Sequence, residues 1–146
     1  MEMEDDFLIQ EPIEPGQYRM VYESHRRTDF RSQPKWEVDF RIQPNQPNAG
    51  RVVTRYYNLE QINEGSEKRY RAKRNSFFVR DYIRLFGDEI ANPASMRLSR
   101  MNPIIFIDRV LLAEVSQVTR DSQRQEIPEL IRPVKVSKLI RLEDVF

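Results

Sequence analysis

Residues 34–42, Pro34-Lys35-Trp36-Glu37-Val38-Asp39-Phe40-Arg41-Ile42, constrain this chain more than any other stretch. Trp36, Val38, Phe40 and Ile42 alternate with Lys35, Glu37, Asp39 and Arg41. A period of two sends the two sets to opposite faces of an extended strand, one apolar and one charged. Such a strand must pair at its edges and cover its apolar face, so the chain needs a sheet with a core on one side.

The neighbouring segments supply strands. Gly16 opens a run to Ser24 in which Tyr18, Met20 and Tyr22 share a face. Residues 25–34 hold three arginines and read as a loop. Residues 44–50, PNQPNAG, form a turn-rich tip. Arg51 to Leu59 is rich in β-branched and aromatic residues, so it pairs with the second strand as a hairpin. Residues 60–74 are polar and basic and read as a connection. Phe78, Tyr82 and Leu85/Phe86 then recur at helical spacing, with Asn75 or Ser76 as N-cap and Gly87 as C-cap. Ile104 to Arg120 reads as a fourth strand and Gln125 to Val136 as a fifth, interrupted by Pro128 and Pro133. Val136 to Val145 fits a short helix or a strand end.

The expectation is therefore a mainly β fold. Three strands, one helix and two strands is the order of a five-stranded OB-like barrel, with the helix between strands 3 and 4. The alternative is an α+β open antiparallel sheet with one helix. A chain of 146 residues makes one domain, here 16–146, behind an acidic, proline-containing N-terminal arm at 1–15. The 15 aromatics are too many for a disordered chain. No apolar run approaches the roughly 20 residues of a membrane span. The acidic N-terminus argues against a targeting peptide. The lack of cysteine removes disulfides and thiolate zinc sites, and suits a cytoplasmic, reducing compartment.

The formal charge of +1 conceals an asymmetry. Residues 1–16 carry six acids and no base, which leaves 24 bases against 17 acids, a net +7, in the remainder. Nineteen of the bases are arginine, which forks onto phosphate and stacks on flat rings. Residues 66–84 alone hold seven bases against two acids. A basic body suits a polyanion partner.

Enzyme chemistry finds little support. His25 is the only histidine, so a multi-histidine metal site cannot form, and its flanks look solvated. Glycine occurs only at 16, 50, 65 and 87, which excludes both glycine-rich nucleotide-binding signatures. Glu37 and Asp39 could hold a divalent ion, but the cations beside them favour cross-strand charge pairing. Asp108 and Glu114 read as ordinary polar strand positions. The expectation is a non-enzyme without metal or cofactor.

What survives is basic residues interleaved with aromatics. The first group is Arg26, Arg27, Phe30 and Arg31; the second is Arg51, Arg55 and Tyr56; the third is Lys68, Arg69, Tyr70, Arg71, Lys73 and Arg74. Single-stranded nucleic acid calls for this mixture, because cations follow phosphates and rings accept unstacked bases. Tyr56 and Tyr57 are adjacent in a strand, so only one of them can be in the core. Tyr70, without apolar neighbours, reads as exposed; Trp36 reads as core or half-exposed at the end of a barrel; Phe77 and Phe78 read as helix packing.

The runs Gly16-Gln-Tyr-Arg-Met-Val-Tyr22, Pro34-Lys-Trp-Glu-Val-Asp-Phe-Arg-Ile42 and Gly50-Arg-Val-Val-Thr-Arg-Tyr-Tyr-Asn58 resemble OB-fold single-stranded-DNA-binding proteins of phages, plasmids and integrative elements. Arg97 to Phe106 and Ile127 to Ile140 are similar in layout to the last two strands of those proteins. The resemblance covers about residues 16–142 in order and spacing. It implies non-specific single-strand binding without a cofactor, with Trp36, Arg55 and Tyr56 at or near the binding face. The basic run at 68–74 has no match in it and rests on charge alone. The C-terminal Leu142-Glu143-Asp144-Val145-Phe146 loosely resembles the acidic tip by which bacterial single-strand-binding proteins recruit partners, though without a long linker. The expected function is single-stranded nucleic acid binding, DNA favoured over RNA, in replication, recombination or transfer of a mobile element. The acidic termini could recruit a protein or, in the N-terminal arm, compete for the basic surface. A homo-oligomer is compatible with the small core. The alternative is a protein-interaction module, an adaptor or inhibitor with a charged surface.

Overall fold

A computed structural model describes residues 12–30, 32–90, 97–120, 123–128 and 132–144. The strands are β1 (Gly16–Phe30), β2 (Gln33–Ile42), β3 (Val52–Glu64), β4 (Glu67–Ala72), β5 (Val110–Gln117) and β6 (Val134–Leu142). The α-helix, α1 (Phe77–Phe86), lies between β4 and β5. All pairings are antiparallel, in the order β4-β3-β2-β1-β5-β6, so the fold is mainly β with one open six-stranded sheet.

The alternation in β2 is realised as the sequence dictates. Val38, Phe40 and Ile42 are buried, and Glu37 and Asp39 face outward with β3 residues Tyr56 and Thr54 opposite them. Tyr18 and Met20 of β1, Val53, Tyr57 and Leu59 of β3, and Leu111, Ala113 and Val115 of β5 complete the sheet side of the core. The apolar stripe of α1 covers it. Phe78 stands edge-on to Trp36, Tyr57 and Phe106 at 4.9, 5.0 and 6.2 Å. Ser76 accepts a hydrogen bond from the Val79 amide at the N-terminus of α1, and Gly87 follows its end.

Several boundaries differ from the sequence expectation. Residues 25–30 continue β1 instead of forming a loop. A bulge between Tyr22 and Ser24 re-aims the strand, so that Tyr22 and His25 meet, oxygen to Nδ1, at 2.6 Å. Residues 60–74 are not a plain connection either: β3 runs to Glu64, turns through Gly65-Ser66 and returns as β4. The helix therefore follows a fourth strand. The run expected as one long strand from Ile104 divides into a short 3₁₀ turn at Pro103–Phe106 and β5. The last strand begins only after Pro133 and extends to Leu142, because neither Pro128 nor Pro133 can donate to a ladder.

β6, at one edge of the sheet, approaches β3, the strand next to the β4 edge. Arg55 Nη1 of β3 donates to the Val136 carbonyl of β6 at 3.2 Å. No helix among the described residues is long and apolar enough to cross a membrane.

Candidate functional site

The outward face of β2 and β3 carries a groove of about 560 Å³. Its walls are Thr28 and Asp29 at the end of β1, Val118 and Pro133 from the connection between β5 and β6, and Lys135 at the start of β6. Lys35 and Glu37 of β2 and Tyr56 of β3 line the groove between them. The alternation of β3 puts Tyr57 fully inside the core and leaves Tyr56 48% exposed, which decides between the two adjacent tyrosines. Burial and the neighbouring Glu37 raise the Tyr56 hydroxyl above its ordinary pKa, so the ring is neutral and uncharged at physiological pH.

The acids of this groove are already matched. Arg26 donates to Glu37 and to Asp39, each at 2.8 Å. Arg27 pairs with Asp29 at 3.0 Å. Thr54 Oγ1 donates to Asp39 at 2.5 Å. The expected cross-strand neutralisation of Glu37 and Asp39 is thus present, with Arg26 as a partner of both. Arg41 instead pairs with Glu23 at 2.7 Å. Lys135 is exposed at the rim.

Arg55 does not reach this face. It is 7% exposed, and its Nε donates to Tyr57 Oη at 2.9 Å and to Asp81 Oδ2 at 3.0 Å. Burial opposes its charge, yet Tyr57 and Asp81 hold its pKa above the ordinary value. Its expected role as a surface cation is corrected: the inward parity of β3 makes it a structural charge. Asp81 was invisible as a functional position in the sequence, because one acid in a helix carries no mark of burial. Burial pushes the Tyr57 hydroxyl well up, so it stays protonated and donates to Asp81 at 2.6 Å.

Trp36 and Arg27 are cross-strand partners on the inward face. Trp36 is half-buried against Phe78, and the Arg27 guanidinium lies 4.0 Å from the Tyr70 ring centroid. Tyr70 is therefore partly buried beneath a cation, not freely exposed as expected. His25 also departs from expectation: it sits in β1, half-buried, 6.5 Å from Trp36, and burial lowers its pKa. Arg51 lies apart, at the start of the β3 side of the hairpin, with Asn48 Oδ1 at 3.4 Å. Arg31 and the Phe30 side chain lie outside the described residues.

The basic run divides. Lys68 and Arg69 are exposed on β4, an edge strand, where charge also discourages pairing with another sheet. Arg71 pairs with Glu60 at 3.0 Å, an acid across the strand that linear inspection of the run did not count. Arg71 and Arg74 join Arg97 on a groove of about 440 Å³ floored by Val79, Ile83, Leu98 and Met101. Lys73 turns to the other side, beside Phe77 and Arg80. Phe77 is 66% exposed, so only Phe78 of that pair packs into the core as expected. Among the described residues no group of three or more His, Asp or Glu is placed to hold a metal ion.

No protein family matches this chain, and no curated protein or solved structure matches it either.

Proposed function

We propose that this chain is a single-stranded nucleic acid-binding protein, DNA favoured, built on an OB-like barrel. The observation that carries the reading is the exposed Tyr56 ring in an outward groove of β2 and β3, with Lys35 and Lys135 beside it. A neutral ring accepts an unstacked base, and cations at the margins follow the phosphates without reading sequence. The strand succession supports the barrel. Taken as β3-β2-β1-β5-β6, with β3 beside β6, it is the circuit of a five-stranded barrel to which β4 is added as an outer strand. The groove then lies where that fold binds oligonucleotides, between the first hairpin loop and the last.

In this reading the protein acts without a cofactor in the cytoplasm, in replication, recombination or transfer of a mobile element. The second reading, a protein-interaction module, is favoured by the groove under Arg71, Arg74 and Arg97, whose apolar floor suits an acidic amphipathic peptide. Salt separates the two. Anisotropy of labelled oligo(dT), with an equal-length duplex alongside, is measured at two salt concentrations. Single-strand binding that weakens steeply with salt, with a slope near −0.7 per phosphate contacted, supports the first reading. No binding at low salt rejects it and directs the search to protein partners.

A further inference from the structure

Tyr56 is not the last exposed ring along this face. Asn58 follows it two residues on in β3, exposed on the same side and paired with Lys35 across the strand. Asn58 in turn borders a second cavity, of about 270 Å³, shared with Gln33, Lys73, Phe77 and Arg80. Among the described residues no carboxylate lines it. Phe77 is the most exposed large apolar side chain described, at 66%, and the Arg80 guanidinium stands 6.0 Å from its ring centroid.

Phe77 leaves most of its ring to solvent, while its neighbour Phe78 fills the core. The Phe77 ring offers a flat, sequence-tolerant surface for a base, with Lys73 and Arg80 exposed beside it. Resting on the single-strand reading above, we propose that Phe77, Lys73 and Arg80 form a second stacking subsite, and that one DNA strand runs from Tyr56 past Asn58 onto Phe77. The subsite adds length to the footprint rather than base preference, because rings stack on every base and the cations contact only phosphate.

The test uses the full chain and labelled oligo(dT) of about 4 and about 12 nucleotides, spanning the site sizes of small single-strand modules. Phe77→Ala is expected to weaken the longer oligonucleotide on the order of 10-fold, the loss of one stacked base, and to leave the shorter one unchanged. Lys73→Glu should weaken the longer one as well. Tyr56→Ala should weaken both. If Phe77→Ala and Lys73→Glu bind the longer strand like the wild type while Tyr56→Ala is impaired, the second subsite is overturned and the first reading stands. If the wild-type chain binds neither oligonucleotide, the single-strand reading fails and this inference with it.

Discussion

Arg55 Nε and Asp81 Oδ2 meet at 3.0 Å inside the protein, joining β3 to α1 where both side chains are almost fully buried. The same carboxylate accepts from Tyr57, and its other oxygen accepts from Arg84 at 3.1 Å. Arg84 reaches onward to the Leu139 and Ile140 carbonyls of β6, and Arg55 to Val136. One buried acid thus gathers β3, α1 and β6 at the place where β3 and β6 approach each other. Removing the carboxylate strands the Arg55 charge away from water. Asp81→Ala is expected to cost about 3–5 kcal/mol in urea unfolding, the usual penalty for breaking a buried pair. Tyr57→Phe, which deletes two hydrogen bonds to charged groups and little volume, should cost about 2–3 kcal/mol. A loss under about 1 kcal/mol for Asp81→Ala would mean that water reaches Arg55 in solution.

Arg26 supports a different prediction, about binding rather than folding. It is half exposed and holds both Glu37 and Asp39, close to the ring of Tyr56. Surface pairs of this kind contribute about 0–1 kcal/mol, so Arg26→Ala should barely move the melting temperature. It would nonetheless leave two carboxylates without their guanidinium partner beside the proposed path of the phosphates. Single-strand affinity should therefore fall further than the loss of one cation explains. Adding Glu37→Gln and Asp39→Asn should restore most of it. Anisotropy at fixed salt on the wild type and the two variants checks this, and equal affinity of Arg26→Ala and the triple variant would contradict it.

Legibility in the sequence followed the chemistry of each segment. The alternation in β2, the stripe and caps of α1 and the β2–β3 hairpin are local patterns, and they could be read directly. The β1–β2 hairpin was hidden because the sequence between Phe30 and Gln33 holds neither glycine nor asparagine, although Ser32 adopts a positive φ of 66°. The charges of Arg26 and Arg27, which suggested a loop, are absorbed by acids across and along the strands. β4 did carry a signal, Gly65-Ser66 between two β-compatible runs, but the density of lysine and arginine masked it. In the site, strand parity could say that one of Tyr56 and Tyr57 is exposed. Which one depends on the face that α1 covers, a tertiary fact. The same parity buries Arg55, and no local feature distinguishes a buried arginine from a surface one until its acid is placed.

His25 makes stability depend on pH. Burial beside Trp36 and Tyr22 lowers its pKa from the usual value near 6.5, so the folded state prefers the neutral ring. Between the unfolded and folded values the unfolded chain binds more protons, and stability rises with pH there. The contribution is thus complete above about pH 6.5 and is lost as pH falls through the folded value. His25→Gln should flatten this part of the profile. Urea midpoints of the two proteins between about pH 5 and pH 7.5 measure the difference, and parallel profiles would show that His25 titrates as if exposed.

Gly65 isolates a backbone effect. It sits at φ +62° in the two-residue turn between β3 and β4, and nothing lies within 4 Å of where a Cβ would stand. Gly65→Ala therefore meets no clash with the described residues beyond its chain neighbours. What remains is the local strain of the left-handed conformation, about 1–2 kcal/mol, offset in part by the smaller entropy of the unfolded chain. Gly65→Asn, which tolerates that conformation better, should cost less than Gly65→Ala. The β3–β4 hairpin lies at the edge of the sheet, so the loss should show first as faster amide exchange in β4, with the core strands protected nearly as before. Uniform acceleration across β1, β2 and β5 would instead make the hairpin part of the main cooperative unit. In that case the Lys68–Arg74 run would be held as firmly as the central strands of the sheet.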